Sequence, residues 1–255
     1  MSLDDVEKRT KRFFRADTVR MRELHKEVLG PLSQVGDVYV IGGVVRDLAF
    51  FGADRRPISD VDLVVSGDAL ALDEIAKGFS ATQNRFGGWG VKRGGMRVDF
   101  WSFDRTWAKV EKHAKIARPE DLISSTFFDW DAILFNINTS KVYARQKYLD
   151  QMYKRVIDIN LLPNPSPHGN LVRALRRLVM FDLRPGKRLK WFIDDGLRKH
   201  SWNSIVEAEM GAYPNSFLVQ FKSRDDFRHR FLLWRHLSDS GVHDRRQMEL
   251  PFGKI

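Results

Sequence analysis

Two glycines and two aspartates, separated by one helix and a loop, constrain this chain more than any other feature. Asp37 to Ile41 (DVYVI) has the composition of a short buried strand, and Gly42-Gly43 follows at once. The next residues, VVRDLAFF, read as a helix that starts right after the glycines. A charged loop with Pro57 then leads to SDVDLVVSG, a second strand. Along a strand, residues i and i+2 point to the same face. Asp60 and Asp62 therefore project together, while Val61, Leu63 and Val65 take the other face, toward a core.

Two adjacent carboxylates repel each other. A divalent cation removes that cost and uses their oxygens as ligands. A glycine turn at a helix N-terminus lets phosphate oxygens approach backbone N–H groups. A phosphate cradle beside a carboxylate pair suits metal-assisted phosphoryl or nucleotidyl transfer. A third carboxylate, Asp99, lies in MRVDFWSF, where alternation puts Arg97, Asp99 and Trp101 on one face. If that strand pairs beside the Asp60 strand, Asp99 completes a triad. Taken singly, each piece is commonplace: Asp-x-Asp on a solvated edge, a two-glycine turn, a surface aspartate. The ordered set points to nucleotidyl transfer.

The rest of the chain supplies an architecture. Residues 4 to 30 read as one helix ended by Gly30-Pro31. DALALDEIAKGF is an amphipathic helix. Ala81 to Phe103 reads as two or three strands, with turns at Gly87-Gly88 and Gly94-Gly95. Ala132 to Ile137 is a further strand. After Pro163-Asn164-Pro165-Ser166-Pro167 the character changes: Leu171–Phe181, Arg188–Leu197, Ser204–Met210 and Asp225–Leu237 look helical. The fold class is therefore α/β (α+β), a head with a mixed sheet followed by a smaller all-helical domain. The division is an N-terminal helix over 1–35, the head over 36–160 and the helical domain over 161–255.

Composition narrows the partners. The chain has 255 residues, 43% of them hydrophobic, which is enough for one or two domains with a real core. It has no cysteine, which excludes a disulfide framework, a zinc ribbon and a thiol nucleophile. No apolar run approaches the roughly 18 residues of a membrane span, and the charged N-terminus lacks a signal-peptide core. The reading is a soluble, cytoplasmic protein with no membrane partner. From Gln151 onward the chain carries 19 Lys+Arg against 11 Asp+Glu, while the first 150 residues are nearly balanced. A basic helical half suits a polyanionic partner.

IGGVVRDLAFFG followed by ISDVDLVV resembles the head domain of the CCA-adding tRNA nucleotidyltransferases and bacterial poly(A) polymerases, a branch of the polymerase-beta-type nucleotidyltransferases. The family pattern G-G-x-V-R-D, then D-x-D, reads here as Gly42, Gly43, Val44, Val45, Arg46, Asp47, then Asp60, Val61, Asp62. FFDWDAILFN stands where the family has an arginine-aspartate-phenylalanine motif; Thr126 and Phe127 occupy the arginine and aspartate positions. NLVRALRRLVMF resembles the neck helix with its E-D-x-x-R motif. Arg173 matches the arginine, and Gly169 and Asn170 replace the two acids, so CTP-then-ATP selection does not carry over.

The resemblance implies roles. Asp60 and Asp62 would hold two Mg²⁺ ions, with Asp99 as a third catalytic carboxylate. Gly42, Gly43 and Arg46 would bind the triphosphate, although Arg46 could instead pair with Asp47 or another head carboxylate. Asn170, Arg173 and Arg176 would contact the nucleotide. Arg177, Arg184, Lys187, Arg188 and Lys190 would bind RNA phosphates, the alternative for Arg176 and Arg177 being a solvated helix face. The implied substrates are an NTP and an RNA, with tRNA the first choice. Trp89 and Trp101 are expected to pack rather than stack on bases. Gln247 to Phe252 (QMELPF) resembles peptides that dock on the bacterial sliding clamp, or packs on its own domain. Three other readings stay open: a small nucleotidyltransferase of toxin or phage-defence type that acts on tRNA or makes a nucleotide signal, a non-catalytic RNA-binding protein, and a nucleotidyltransferase acting on protein or small-molecule hydroxyls, which the basic helical half favours less than a polyanionic acceptor.

Overall fold

The first 35 residues are helical but not one rod. In the computed structural model, which describes residues 1–52, 60–84 and 86–233, α1 (Leu3–Phe14) is capped by Ser2. The Ser2 hydroxyl accepts from the Asp5 amide, and the Asp5 carboxylate accepts from the Ser2 amide. This reciprocal pair satisfies two N-terminal donors. Thr18 caps a second helix, α2 (Val19–Leu24), through the Met21 amide. A π-turn over His25–Leu29 leads into α3 (Gly30–Val35). The expected single helix ending at Gly30-Pro31 is thus corrected. Thr18 starts a new helix by satisfying its free donors, and Pro31 falls in a first turn, where its missing N–H is tolerated.

Next come β1 (Gly36–Ile41), α4 (Gly43–Phe51), β2 (Asp60–Gly67), α5 (Ala69–Gly78), β3 (Thr82–Gln83), β4 (Trp89–Arg93) and β5 (Met96–Ser102). A short α6 (Trp107–Val110) precedes β6 (Ile133–Asn136), β7 (Lys141–Ala144), α7 (Tyr148–Tyr153) and β8 (Val156–Ile157). Seven strands form one mixed sheet in the order β3-β4-β5-β2-β1-β6-β7. β2 and β5 are parallel, and the other neighbours are antiparallel. On one face Val38, Val40, Val61, Leu63, Val65, Val98 and Phe100 enter the main core. The opposite face carries Tyr39, Val64 and Leu134, covered by Phe103, Ala108, Ile116 and Leu122. Alternation thus sends Val61, Leu63 and Val65 of β2 to the main core, and Asp60, Asp62 and Val64 to the thinner side.

The tryptophans of the hairpin pack, as expected. A Cβ placed on Gly88 would lie 2.0 Å from the Trp101 indole nitrogen, so only glycine admits that ring. Trp89 Nε1 donates to Asp73 Oδ1 at 3.1 Å.

The helical part comprises α8 (Pro167–Met180), β9 (Arg184–Pro185), α9 (Lys187–Lys199), α10 (Trp202–Ala212) and α11 (Arg224–Arg228). Pro167 opens α8, where proline is preorganised for a first turn. β9 pairs in parallel with β8. Phe181, at the end of α8, packs on Phe50, Phe51 and Trp130, so helices and sheet share one hydrophobic core. The tail of the last expected helix and the Gln247–Phe252 peptide lie outside the described residues. No described helix is long and apolar enough to cross a membrane.

Candidate active site

The parallel pairing of β2 with β5 sets Asp62 directly across from Asp99, and Asp60 across from Arg97. The condition attached to Asp99 is met: its strand lies beside the Asp60 strand. Asp99 accepts from Arg97 Nε at 2.9 Å and Nη2 at 3.3 Å. Gly90 of β4 lies opposite Asp99, and a Cβ there would stand 2.7 Å from Asp99 Oδ1. The carboxylate therefore occupies space that a side chain on β4 would fill. Burial pushes the Asp62 carboxyl up to about 7, with Asp99 and Asp131 adding to the shift and Arg173 opposing it. The cluster carries more negative charge than its surroundings balance.

The glycine turn lies beside this group. Gly42 has φ +67° and ψ −110°, a conformation costly for any residue with a Cβ. Its amide donates to the Ile133 carbonyl at 3.1 Å, tying the turn to β6. Arg46, in the first turn of α4, donates from Nε to Asp47 at 2.8 Å and from Nη1 to Asp131 Oδ1 at 2.6 Å. Asp131 also receives Arg177, Nη1 to Oδ2 at 2.7 Å and Nη2 to Oδ1 at 3.1 Å. Both arginines are buried, at 8% and 9% exposure. Burial works against charge on Asp131, but the Arg177 and Arg46 guanidiniums prevail and hold its carboxyl down at about 2. A Cβ on Gly42 would stand 3.5 Å from Asp131 Cβ, so this clasp sits against the turn.

On α8, Asn170, Arg173, Ala174 and Arg177 follow the i, i+3, i+4, i+7 spacing of one helix face. Arg173 is exposed, and its charge acts on both Asp62 and Asp131. Two expectations on this helix are corrected. Arg177, expected on RNA, is buried against Asp131, because the head carboxylate compensates its charge where water cannot reach. Arg176, expected at the nucleotide, turns to α10: it donates to Glu209 Oε1 at 2.8 Å and stacks on Tyr213 and Phe217. Of the two alternatives for Arg46, pairing with head carboxylates is the one observed.

The remaining basic residues lie around the β8–β9 pair. Arg184 Nη2 donates to the Lys154 carbonyl at 3.3 Å and Arg188 Nη1 to the Ile159 carbonyl at 3.1 Å. Lys187 is exposed and Lys190 is half-buried. The pairing brings Lys154 and Arg155 beside Arg184, and both Tyr153 and Trp191 of α9 are largely exposed. Thr126 and Phe127 are structural: the Thr126 hydroxyl donates to the Phe128 carbonyl, and Phe127 packs on Phe192. Sequence reasoning missed Asp131 and Glu209. An aspartate just before a strand that neighbours β1 was the available signal for Asp131.

A divalent cation fits the donor set. Asp60 and Asp62 offer hard oxygens from one face of β2, with the Asp99 carboxylate directly across on β5. Asp99 is engaged by Arg97, and no group of three potential ligands encloses an ion site among the described residues.

No family model matches the sequence, and no curated protein matches it. Solved structures do match the fold. One is a CCA-adding enzyme complexed with CTP: TM-score 0.57, 22% identity, over 90% of this chain and 55% of that one. A second is the Thermotoga maritima CCA-adding enzyme complexed with tRNA_CCA: TM-score 0.56, 20% identity, over 96% of this chain and 57% of that one. A third is a tRNA nucleotidyltransferase complexed with a primer tRNA and an incoming ATP analog: TM-score 0.51, 18% identity, over 82% of this chain and 61% of that one. The chain thus spans less than two thirds of the length of these proteins and shares their fold, a mixed-sheet head followed by helices.

Proposed function

We propose that this chain is a nucleotidyltransferase that moves a nucleoside monophosphate from an NTP to the 3′-hydroxyl of an RNA, with tRNA as the acceptor. One observation carries the reading: Asp60, Asp62 and Asp99 share one face of adjacent strands, beside the Gly42 turn. A fold shared with enzymes solved with CTP, an ATP analog and tRNA supports it.

In this reading Gly43 and the residue after it take the β- and γ-phosphates on backbone amides at the start of α4, while Gly42, its own amide held by the Ile133 carbonyl, shapes the turn. Asp60 and Asp62 would hold Mg²⁺, which would stabilise charge on the α-phosphate and on the leaving pyrophosphate. Asp99 supports them from β5. The RNA 3′-oxygen attacks the α-phosphorus in line. The bond to the β-phosphate oxygen breaks, pyrophosphate leaves, and the hydroxyl proton passes to solvent. Arg173 and Asn170 contact the base from α8. Arg184, Lys187, Arg188 and Lys190 bind acceptor phosphates, joined by Lys154, with Tyr153 and Trp191 offering faces for base stacking.

The test is a transfer assay with Mg²⁺ and each labelled NTP, using total tRNA, tRNA lacking its CCA end, and no acceptor. Label in tRNA that disappears with Asp60→Ala and Asp62→Ala supports the proposal. Label only in small products without acceptor would replace it with synthesis of a nucleotide signal. No incorporation with intact nucleotide binding would favour a non-catalytic RNA-binding protein.

A further inference from the structure

We propose that Asp131 is a positioning residue of the nucleotide site: by clasping Arg46 and Arg177 it locks the first turn of α4 to α8, and so sets where Asn170 and Arg173 meet the base. The inference rests on the nucleotidyl-transfer reading above and adds to it what fixes the geometry of base selection.

The clasp joins three separate pieces of chain. Arg46 lies in the turn that follows Gly42, and its amide donates to the Gly42 carbonyl at 2.9 Å. Asp131 stands just before β6. Arg177 belongs to α8, and two parallel N–H···O bonds fix its orientation as well as its distance. Stacking repeats the cross-bracing. The Arg177 guanidinium lies 4.5 Å from the ring of Phe128 in the head, and that of Arg46 lies 5.6 Å from Phe181 at the end of α8. Each arginine is thus held by the element it does not belong to.

The consequence follows from helix geometry. Arg173 is one turn from Arg177 and Asn170 two turns away, on the same face. Neither side chain hydrogen-bonds to a described residue, while the Arg177 anchor is fully committed. A rigid anchor fixes where the exposed Arg173 and the buried Asn170 stand along this face, and so what a ligand reaching Arg173 meets. Buried ion pairs add little net stability over apolar packing, so what the clasp contributes is a defined geometry.

Asp131→Asn keeps the shape and removes the charge; Arg177→Lys keeps a cation and loses the fork. Both are compared with wild type by amide hydrogen exchange and by steady-state transfer with each NTP. Exchange is expected to quicken in residues 43–46 and 167–177, with β4 and β5 unchanged. The KM for NTP should rise about tenfold while kcat falls much less, and selectivity between NTPs should shrink. Arg173→Ala should add little loss in the Asp131→Asn background, because both act through one position. Unchanged or uniformly faster exchange, or unaltered KM and selectivity in a folded variant, would overturn the proposal. Should Asp131→Asn not fold, Arg177→Lys carries the same comparison. A wild-type protein that transfers no nucleotide defeats the functional reading alone, and the exchange pattern still decides whether Asp131 fixes α4 to α8.

Discussion

Asp62 and Asp99 stand directly opposite each other on two parallel strands, with Asp60 on the same face and Arg97 holding Asp99. The arrangement concentrates negative charge and is a liability for folding unless it serves a cation. Asp62→Asn and Asp60→Asn should therefore fold and, at pH 8, Asp62→Asn should melt no lower than wild type. Transfer should fall by roughly a thousandfold, the equivalent of about 4 kcal/mol of lost charge stabilisation. Thermal melts and the labelled-NTP assay check both halves. Normal transfer by both variants would sink the metal assignment.

Gly90 supplies a gentler perturbation of the same group. A methyl at this position would stand 2.7 Å from Asp99 Oδ1 and force that carboxylate to move. Gly90→Ala is expected to leave the circular dichroism spectrum unchanged and to lower kcat. Full activity would show that Asp99 does not contribute.

Glu209 is fully buried and accepts from Arg176 Nη1, the Ser216 hydroxyl and the amides of Phe217 and Leu218. Glu209→Ala removes the carboxylate from the largely covered Arg176 guanidinium, leaving it the Asn215 carbonyl, and also frees the Phe217 and Leu218 amides; it should cost about 3–5 kcal/mol. Urea unfolding measures it. A loss below about 1 kcal/mol, the range of an exposed pair, would mean that the α8–α10 junction does not depend on this residue.

Asp129 gives a pH dependence. Burial pushes its carboxyl up to about 7, the Asp158 amide at Oδ1 opposes the shift, and Oδ2 is buried with no partner. A folded state that keeps a proton released by the unfolded chain near pH 4 loses stability as pH rises through that window. Wild type should therefore lose more stability between pH 5 and pH 8 than Asp129→Asn does. Urea titrations at the two pH values measure the difference, and equal losses would count against the assignment.

The strand, the glycine turn, the helix and the Asp60-x-Asp62 strand were legible because each is a local pattern. A period of two tells which side chains share a face whatever the rest of the chain does. The same logic placed Arg97 with Asp99 and Val61 opposite Asp60. It failed over residues 4–30, where apolar spacing looked continuous but the Thr18 hydroxyl could start a new helix. It failed again at Arg176 and Arg177: helix periodicity puts them on adjacent faces and says nothing about what those faces meet.

What only the tertiary structure decided is which charges share a buried space. Asp131 lies 85 residues from Arg46 and 46 from Arg177, yet one carboxylate holds both. Likewise Asp99 reaches Asp62 only because β5 pairs with β2 in that register. By itself the sequence determined the elements, the faces of the strands and the carboxylate pair. These depend on neighbours in the chain, whereas burial and ion pairing depend on how elements pack, and one carboxylate is as suitable a partner as another until packing excludes water from all but one.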